Sequence, residues 1–146
     1  MVAEFDSDEL IFRRVRADDI KDSEVLPTAF DWPAPSVLRS KFAEPHHAIH
    51  VSCCDGKQLP PGKWGVVEVR LRDLPTPFQS GQGKTFHFFI RHKPTPTCFA
   101  HSELLCRADD DPPEAEKQRP SNSIRILYLI ELAKRASVRV PPVDIS

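Results

Sequence analysis

Hydrophobic and polar residues alternate with a period of two in several parts of the chain, which is the pattern of strands with one buried and one solvated face. The clearest case is the segment WGVVEVRLR, in which Val67, Val69 and Leu71 fall on one side and charged residues on the other. Four segments show this period: 10–15, 64–72, 84–92 and 101–107. The turn sequence PTPT separates the last two, so we predict that they form a hairpin.

Three other segments predict further elements. Residues 36–42 follow a proline and begin with Ser36, which predicts a short helix capped by that serine. Residues 48–53 alternate and predict a strand. The segment 121–136 has helical periodicity and basic residues in its last turn, which predicts one strong helix. Its predicted apolar face consists of Ile126, Leu129, Ile130 and Ala133.

These elements predict one domain of the α+β class over residues 1–146. We expect an antiparallel or mixed sheet of five or six short strands, covered on one face by the C-terminal helix. The 15 prolines against five glycines should mark the ends of elements. We expect the acidic N-terminus, residues 1–9, to be frayed, and the acidic, proline-containing segment 108–120 to be a mobile loop.

The charge balance limits the classes of partner. The chain has 20 basic and 21 acidic residues, so it lacks the basic excess of a dedicated nucleic-acid binder. No apolar run approaches the length that spans a bilayer, and the N-terminus is acidic where a signal peptide would be basic. We therefore expect a cytoplasmic protein with reduced thiols and no membrane contact.

A cluster of histidines and cysteines forms the first candidate site. Imidazole and thiolate groups are zinc ligands, but the spacing here matches no standard finger and the chain has no CxxC motif. The alternative is that the cysteines are small core residues and the histidines lie exposed in a loop. We favour no cofactor, with zinc as the alternative at His46, His47, His50, Cys53 and Cys54.

The second candidate site lies on the predicted hairpin. Period-two alternation puts His87 and Arg91 on one face of the first strand, and His101 and Glu103 on one face of the second. If the strands are neighbours, these catalytic candidates could do general acid–base work on a phosphate or ribosyl substrate. The alternative is an ordinary solvated face whose ion pairs contribute little.

The third candidate site is a set of arginines with a serine: Arg13, Arg14, Ser36 and Arg39. Guanidinium groups suit phosphate or carboxylate, so we predict a binding role for this set. With Glu103, the order Arg, Ser, Glu along short strands resembles that of ADP-ribosyltransferases. The resemblance implies that these residues grip a dinucleotide.

Three functions follow from these patterns. The first is an intracellular interaction module that binds a protein partner through aromatic and proline-stiffened loops, within a bacterial toxin or phage-defence system. The second is a small enzyme directed at a nucleotide or nucleic acid, ADP-ribosyltransferase-like or nuclease-like, that uses the His/Glu/Arg face. The third is a metal-stabilised domain. The aromatics available to an interaction module are Phe30, Trp32, Phe42, Phe78 and Phe99.

Overall fold

The computed structural model describes residues 5–30, 36–50, 61–79, 85–96, 98–108 and 122–145. Within these ranges the chain forms nine strands and two α-helices. The strands are β1 (Leu10–Arg16), β2 (Ile20–Lys21), β3 (Glu24–Val25), β4 (Ser36–Arg39), β5 (Gly62–Arg70), β6 (Phe78–Gln79), β7 (Thr85–His92), β8 (His101–Ala108) and β9 (Ser137–Ile145). The helices are α1 (His47–His50) and α2 (Asn122–Arg135).

Seven of the strands form one sheet in the order β6-β7-β8-β4-β1-β5-β9, in which every neighbouring pair is antiparallel. The predicted α+β class is confirmed, with six longer strands, a two-residue edge strand and the helix α2 on one face. The predicted hairpin of residues 84–92 and 101–107 is also confirmed, as β7 and β8. The strands β2 and β3 form a separate small hairpin.

The segment predicted as a helix from Ser36 to Phe42 is instead the strand β4, over Ser36–Arg39. Val37 and Leu38 are adjacent in sequence and both buried, on opposite faces of the sheet. A strand can bury two consecutive side chains in this way when both of its faces are covered. Pairing with β1 and β8 therefore overrides the local capping signal of Ser36.

The helix α2 covers the first face of the sheet, but in a different rotation from the predicted one. Tyr128 is fully buried and stacks on Phe88, with ring centroids 3.3 Å apart and ring planes 8° from parallel. Leu132 is buried one turn further on, whereas Ile126 is 52% exposed. The prediction that Ile126 belongs to the buried face is therefore wrong, because the stacked pair fixes the rotation of the helix.

The second face carries a smaller core under α1. Ala48 and Ile49 pack there with Phe12, Leu38 and Trp64. The prediction of a strand from residue 48 is wrong for residues 48–50, which are helical, and residues 51–53 lie outside the described ranges. The physical reason is local: backbone N–H groups of residues 47–49 donate to carbonyls three positions earlier, beginning at Glu44.

Cys98 lies at the edge of this second core and is disulfide-bonded. The expectation of reduced thiols therefore does not hold for this residue.

The N-terminal segment is held against the sheet from residue 5 onward. The N–H of Leu71 donates to the carbonyl of Glu9, and the N–H of Arg72 donates to that of Ser7. The fraying predicted for residues 1–9 therefore does not extend to residues 5–9, and residues 1–4 lie outside the described part. Of the predicted loop 108–120, only Ala108 is described, as the last residue of β8.

A buried ion pair connects this segment to β4. The Arg39 guanidinium donates from Nε and Nη2 to the two carboxylate oxygens of Glu9, at 2.9 and 2.8 Å. The side chains are 0% and 3% exposed. The guanidinium also lies over the rings of Phe5 and Phe42, at 3.8 and 4.9 Å from their centroids. The Glu9 carboxylate also accepts a hydrogen bond from the Lys41 N–H at 3.4 Å, so the buried charges are held by polar as well as aromatic contacts.

The substitution Glu9→Gln should destabilise the protein by about 3–5 kcal/mol, because it leaves a buried guanidinium without a counter-charge. Urea unfolding measures this loss. The control is Asp8→Asn, which removes an exposed ion pair with Arg72 and should cost less than about 1 kcal/mol. Equal stability of the two variants would contradict the structural role of the buried pair.

Candidate functional site

A cavity of about 600 Å³ lies beside the beginning of β4, within the size range of pockets for small molecules. Its wall includes residues from β1, β4, β5 and β8, from both helices, and from the 3₁₀ turn at residues 27–30. The lining residues are Phe12, Arg13, Arg14, Val15, Arg16, Asp19, Pro27, Thr28, Ala29, Ser36, Val37, Leu38, Ala48, Trp64, His101, Ile126 and Leu129.

The cavity has a simple cause in the sheet. The strand β4 pairs with β1 only through Ile11 and Phe12, whereas β1 continues to Arg16 along β5. Arg13 spans part of this interval: its Nε donates to the carbonyl of Ala29 at 2.6 Å, and its Nη1 donates to that of Ser36 at 2.8 Å. The arginine therefore ties the start of β4 to the neighbouring turn.

Two further arginines of β1 lie on the face that carries Trp64. The guanidinium carbons of Arg14 and Arg16 are 5.5 and 5.0 Å from the centroid of the indole ring, within the range of cation–π contact. Among the described residues, neither has an ion-pair partner. Asp19 accepts hydrogen bonds from the Arg16 N–H and the Thr28 hydroxyl. The lining residues that the structure describes thus include three arginines and one carboxylate.

Ser36 and His101 form a hydrogen-bonded pair at the cavity wall. The Nε2 of His101 is 3.2 Å from the Ser36 hydroxyl, and its Nδ1 is 2.7 Å from the carbonyl of Lys93. Since a carbonyl only accepts, Nδ1 must carry a proton, and in the neutral ring the Ser36 hydroxyl donates to the lone pair of Nε2. The ring is only 7% exposed and has one defined tautomer.

The four catalytic candidates of the hairpin share one face, as the alternation predicts, but they do not form one site. Arg91 lies opposite Glu103 in the register, and the Glu103 carboxylate pairs with Lys93 Nζ at 2.7 Å. Because Lys93 lies opposite His101, His87 is about 20 Å from His101 along the strand. Of the four, only His101 lines the cavity.

The basic set is divided as well. Arg13, Arg14 and Ser36 line the cavity, whereas Arg39 is fully buried in its pair with Glu9. The sequence patterns assign Ser36 and His101 to two separate candidate sites. No local signal joins them, because their contact depends on the pairing of β4 with β8.

The residues behind the resemblance to ADP-ribosyltransferases lie on three adjacent strands. Ser36 and Glu103 are cross-strand partners in β4 and β8, and Arg13 reaches Ser36 from β1. Glu103, however, does not line the cavity. Arg13, Ser36 and Glu103 thus lie on adjacent strands, but the carboxylate is not part of the described cavity wall.

The histidine and cysteine cluster is only partly described. The rings of His46 and His47 are in contact, with centroids 4.4 Å apart, and His47 Nδ1 accepts a hydrogen bond from the Glu44 N–H. Of His50 only the backbone is described, and Cys53 and Cys54 lie outside the described residues. Within the described ranges, no three His, Cys, Asp or Glu side chains are placed to share a metal ion.

A second feature is an aromatic cluster next to the Lys93–Ala100 loop. The ring of His92 contacts those of Phe42 and Phe99, at centroid distances of 5.7 and 4.9 Å, and the two phenylalanines meet edge to face. Phe99 is 56% exposed. Both ring nitrogens of His92 are buried, and neither has a hydrogen-bond partner in the described part of the chain.

No family model, characterised protein or solved structure matched this chain. Any functional assignment therefore depends on the geometry of the cavity and of the aromatic cluster. In the described ranges, α2 and α1 are both too short or too polar to cross a bilayer.

Protonation of His92 should destabilise the fold. Burial lowers the pKa of His92, and the nearby charge of Arg39 lowers it further, with Glu9 opposing and His101 adding to the effect. The unfolded chain therefore takes up a proton near its ordinary pKa of about 6.5, where the folded protein does not. The contribution of His92 to the free energy of unfolding is therefore complete above about pH 6.5 and declines as the pH falls below that value.

The measurement is the free energy of unfolding at pH 7.5 and pH 5.5 for the wild type and for His92→Phe, which preserves the aromatic contacts. We expect a smaller loss between the two pH values in the variant. An identical loss in both proteins would show that His92 is not responsible.

Proposed function

We propose that this protein is a small enzyme that binds a nucleotide-class ligand in the cavity and acts on its phosphate group. The observation that carries the proposal is the concentration of three arginines and the Ser36–His101 pair around one cavity.

The arginines supply the anion-binding end. Arg14 and Arg16 are held over Trp64, and no carboxylate neutralises them within the described residues. Since the whole chain has a net charge of −1, this positive charge is local and does not reflect a basic protein. Guanidinium groups on a rigid strand suit a phosphate group, which they bind through charge-assisted hydrogen bonds.

The apolar lining supplies the other end of the ligand site. Phe12, Leu38 and Ala48 form part of it, and the volume of about 600 Å³ accommodates a ring and a sugar. A concave site of this size fits a mononucleotide or dinucleotide better than a nucleic-acid strand, which binds along an extended basic groove.

His101 supplies the acid–base group. Its Nε2 faces the cavity-lining hydroxyl of Ser36, and the Lys93 carbonyl fixes the ring in the tautomer that accepts a proton there. General acid–base catalysis requires a group held in this way within hydrogen-bond distance of the proton it takes.

The substitution Arg14→Gln should weaken binding of ADP and NAD⁺ by about 10–100-fold, because it removes a charge-assisted hydrogen bond to phosphate. Isothermal titration at physiological salt measures the Kd. The matched control is Lys134→Gln, which removes one positive charge from the exposed side of α2, away from the cavity.

Absence of binding by the wild type, or equal affinity of the two variants, would contradict the proposal. Loss of binding in both variants would indicate a response to net charge alone and would equally count against the cavity.

The second candidate function is the interaction module, and it is favoured by Phe99. This ring is 56% exposed, yet its contacts with Phe42 and His92 hold it in position. The loop that carries it includes Pro94 and Pro96. An aromatic side chain that is ordered before binding loses little entropy at an interface, which suits a protein partner.

The substitution Phe99→Ser should abolish co-purification of a protein partner from the native host and leave the thermal unfolding temperature nearly unchanged. Arg139→Ser, at an exposed position on the edge strand β9, is the control. Recovery of the same partner with Phe99→Ser would contradict a docking role for this ring.

The cytoplasmic location and the role in a bacterial toxin or phage-defence system stay predictions from the sequence. The disulfide of Cys98 weighs against the cytoplasm, because disulfides are rare in that compartment.

A further inference from the structure

We propose that Ser36 is a nucleophile, activated by His101, that takes the phosphoryl group of the ligand onto its own hydroxyl. The proposal rests on the proposed function, since it assumes a phosphate-bearing ligand in the cavity, and it goes further by assigning a covalent intermediate to one residue.

A chain of hydrogen bonds joins the serine hydroxyl, the imidazole ring and a backbone carbonyl. Ser36 Oγ–H donates to His101 Nε2 at 3.2 Å, and His101 Nδ1–H donates to the Lys93 carbonyl at 2.7 Å. This is the arrangement of an activated nucleophile: a hydroxyl, a base within reach, and a third group that orients the base. The Lys93 carbonyl acts here as a positioning group.

The Ser36 hydroxyl is accessible from the cavity. Ser36 is half-buried and lines the cavity, as does His101, so a ligand in the cavity can reach the hydroxyl. The strand β4 begins at Ser36, and its backbone is held there by Arg13 and by pairing with Glu103. The hydroxyl is thus carried by a fixed backbone, as a reacting group requires.

Arg14 places a positive charge in the wall of the same cavity. Its guanidinium carbon lies 5.5 Å from the centroid of the Trp64 ring, and Arg14 and Ser36 both line the cavity. A guanidinium in the same cavity as the nucleophile can stabilise the charge on a phosphoryl group during transfer.

The reaction has two steps. In the first, Ser36 Oγ forms a bond to phosphorus while its proton passes to His101 Nε2, and the bond from phosphorus to the leaving oxygen breaks as that oxygen takes the proton from His101. In the second, a solvent water attacks the phosphoserine with His101 as base. Inorganic phosphate leaves, and Ser36 recovers its proton.

A fluorophosphonate probe tests the nucleophile directly. The hydroxyl of an activated serine displaces fluoride, which leaves a stable phosphonate ester that mass spectrometry detects. We expect one adduct on the full chain, located at Ser36 by peptide mapping, and none in Ser36→Ala. Ser137→Ala, on β9 and outside the cavity, should label like the wild type.

The variant His101→Gln separates activation from structure, because the amide can still accept the hydrogen bond from Ser36 but cannot take its proton. We expect labelling to slow by about 100-fold or more. An adduct on a different serine, or undiminished labelling of His101→Gln, would overturn the proposal.

Failure of the two proposals can be told apart. A wild type that binds ADP but takes no label refutes the nucleophile and leaves the binding site in place. A wild type that is labelled at Ser36 but does not bind ADP supports the activated serine and refutes the nucleotide-class ligand, and with it the phosphoryl step.

Discussion

The ion pair between Arg39 and Glu9 secures the sheet at its narrowest point. The strand β4 joins β6-β7-β8 to β1-β5-β9, and it does so with four residues, two of which pair with β1. Glu9 directly precedes β1 and Arg39 ends β4, so their carboxylate and guanidinium bridge the two halves next to that short pairing. A buried pair in this position is a strong constraint, because separating the strands would leave both charges desolvated.

The same short strand creates the cavity at its other end. Since β4 begins at Ser36, the last residues of β1 do not have it as a neighbour, and their arginines face a space lined by turn and helix residues. The Arg13 side chain spans part of this space and donates hydrogen bonds to two backbone carbonyls. One feature of the topology thus explains both the need for a buried ion pair and the presence of a site beside it.

The sequence patterns predict most of the strands and the long helix, but they do not predict how these elements pair and pack. The alternation in the sequence identified β5, β7 and β8, although Val66 and Val67 show that β5 is buried on both of its faces. Residues 36–39 were predicted as part of a helix but form a strand, because the segment is short and buried on both faces and its pairing decides its form. Residues 48–50 are helical instead of extended because of local hydrogen bonds that alternation does not encode. The rotation of α2 depended on the stacking of Tyr128 on Phe88, a contact between distant segments that periodicity does not encode.

The candidate site shows the same division between residue type and placement. Arg13, Arg14, Ser36 and His101 were each recognised by their chemistry, but only the register of β4 with β1 and β8 selects them over Arg39 and His87.

Two histidines at the end of the β7–β8 hairpin show why placement matters for function. His101 has a defined partner for each ring nitrogen, which fixes its tautomer and aims a lone pair at a hydroxyl. His92, opposite Ser102 in the same pair of strands, has buried nitrogens without such partners in the described chain and lies among aromatic rings. An imidazole without partners costs stability when buried, of the order of 1–3 kcal/mol. The hydrogen bonds that remove this cost at His101 are the same ones that orient its ring for the base role proposed above, so one set of contacts serves both the stability of the fold and the proposed reaction.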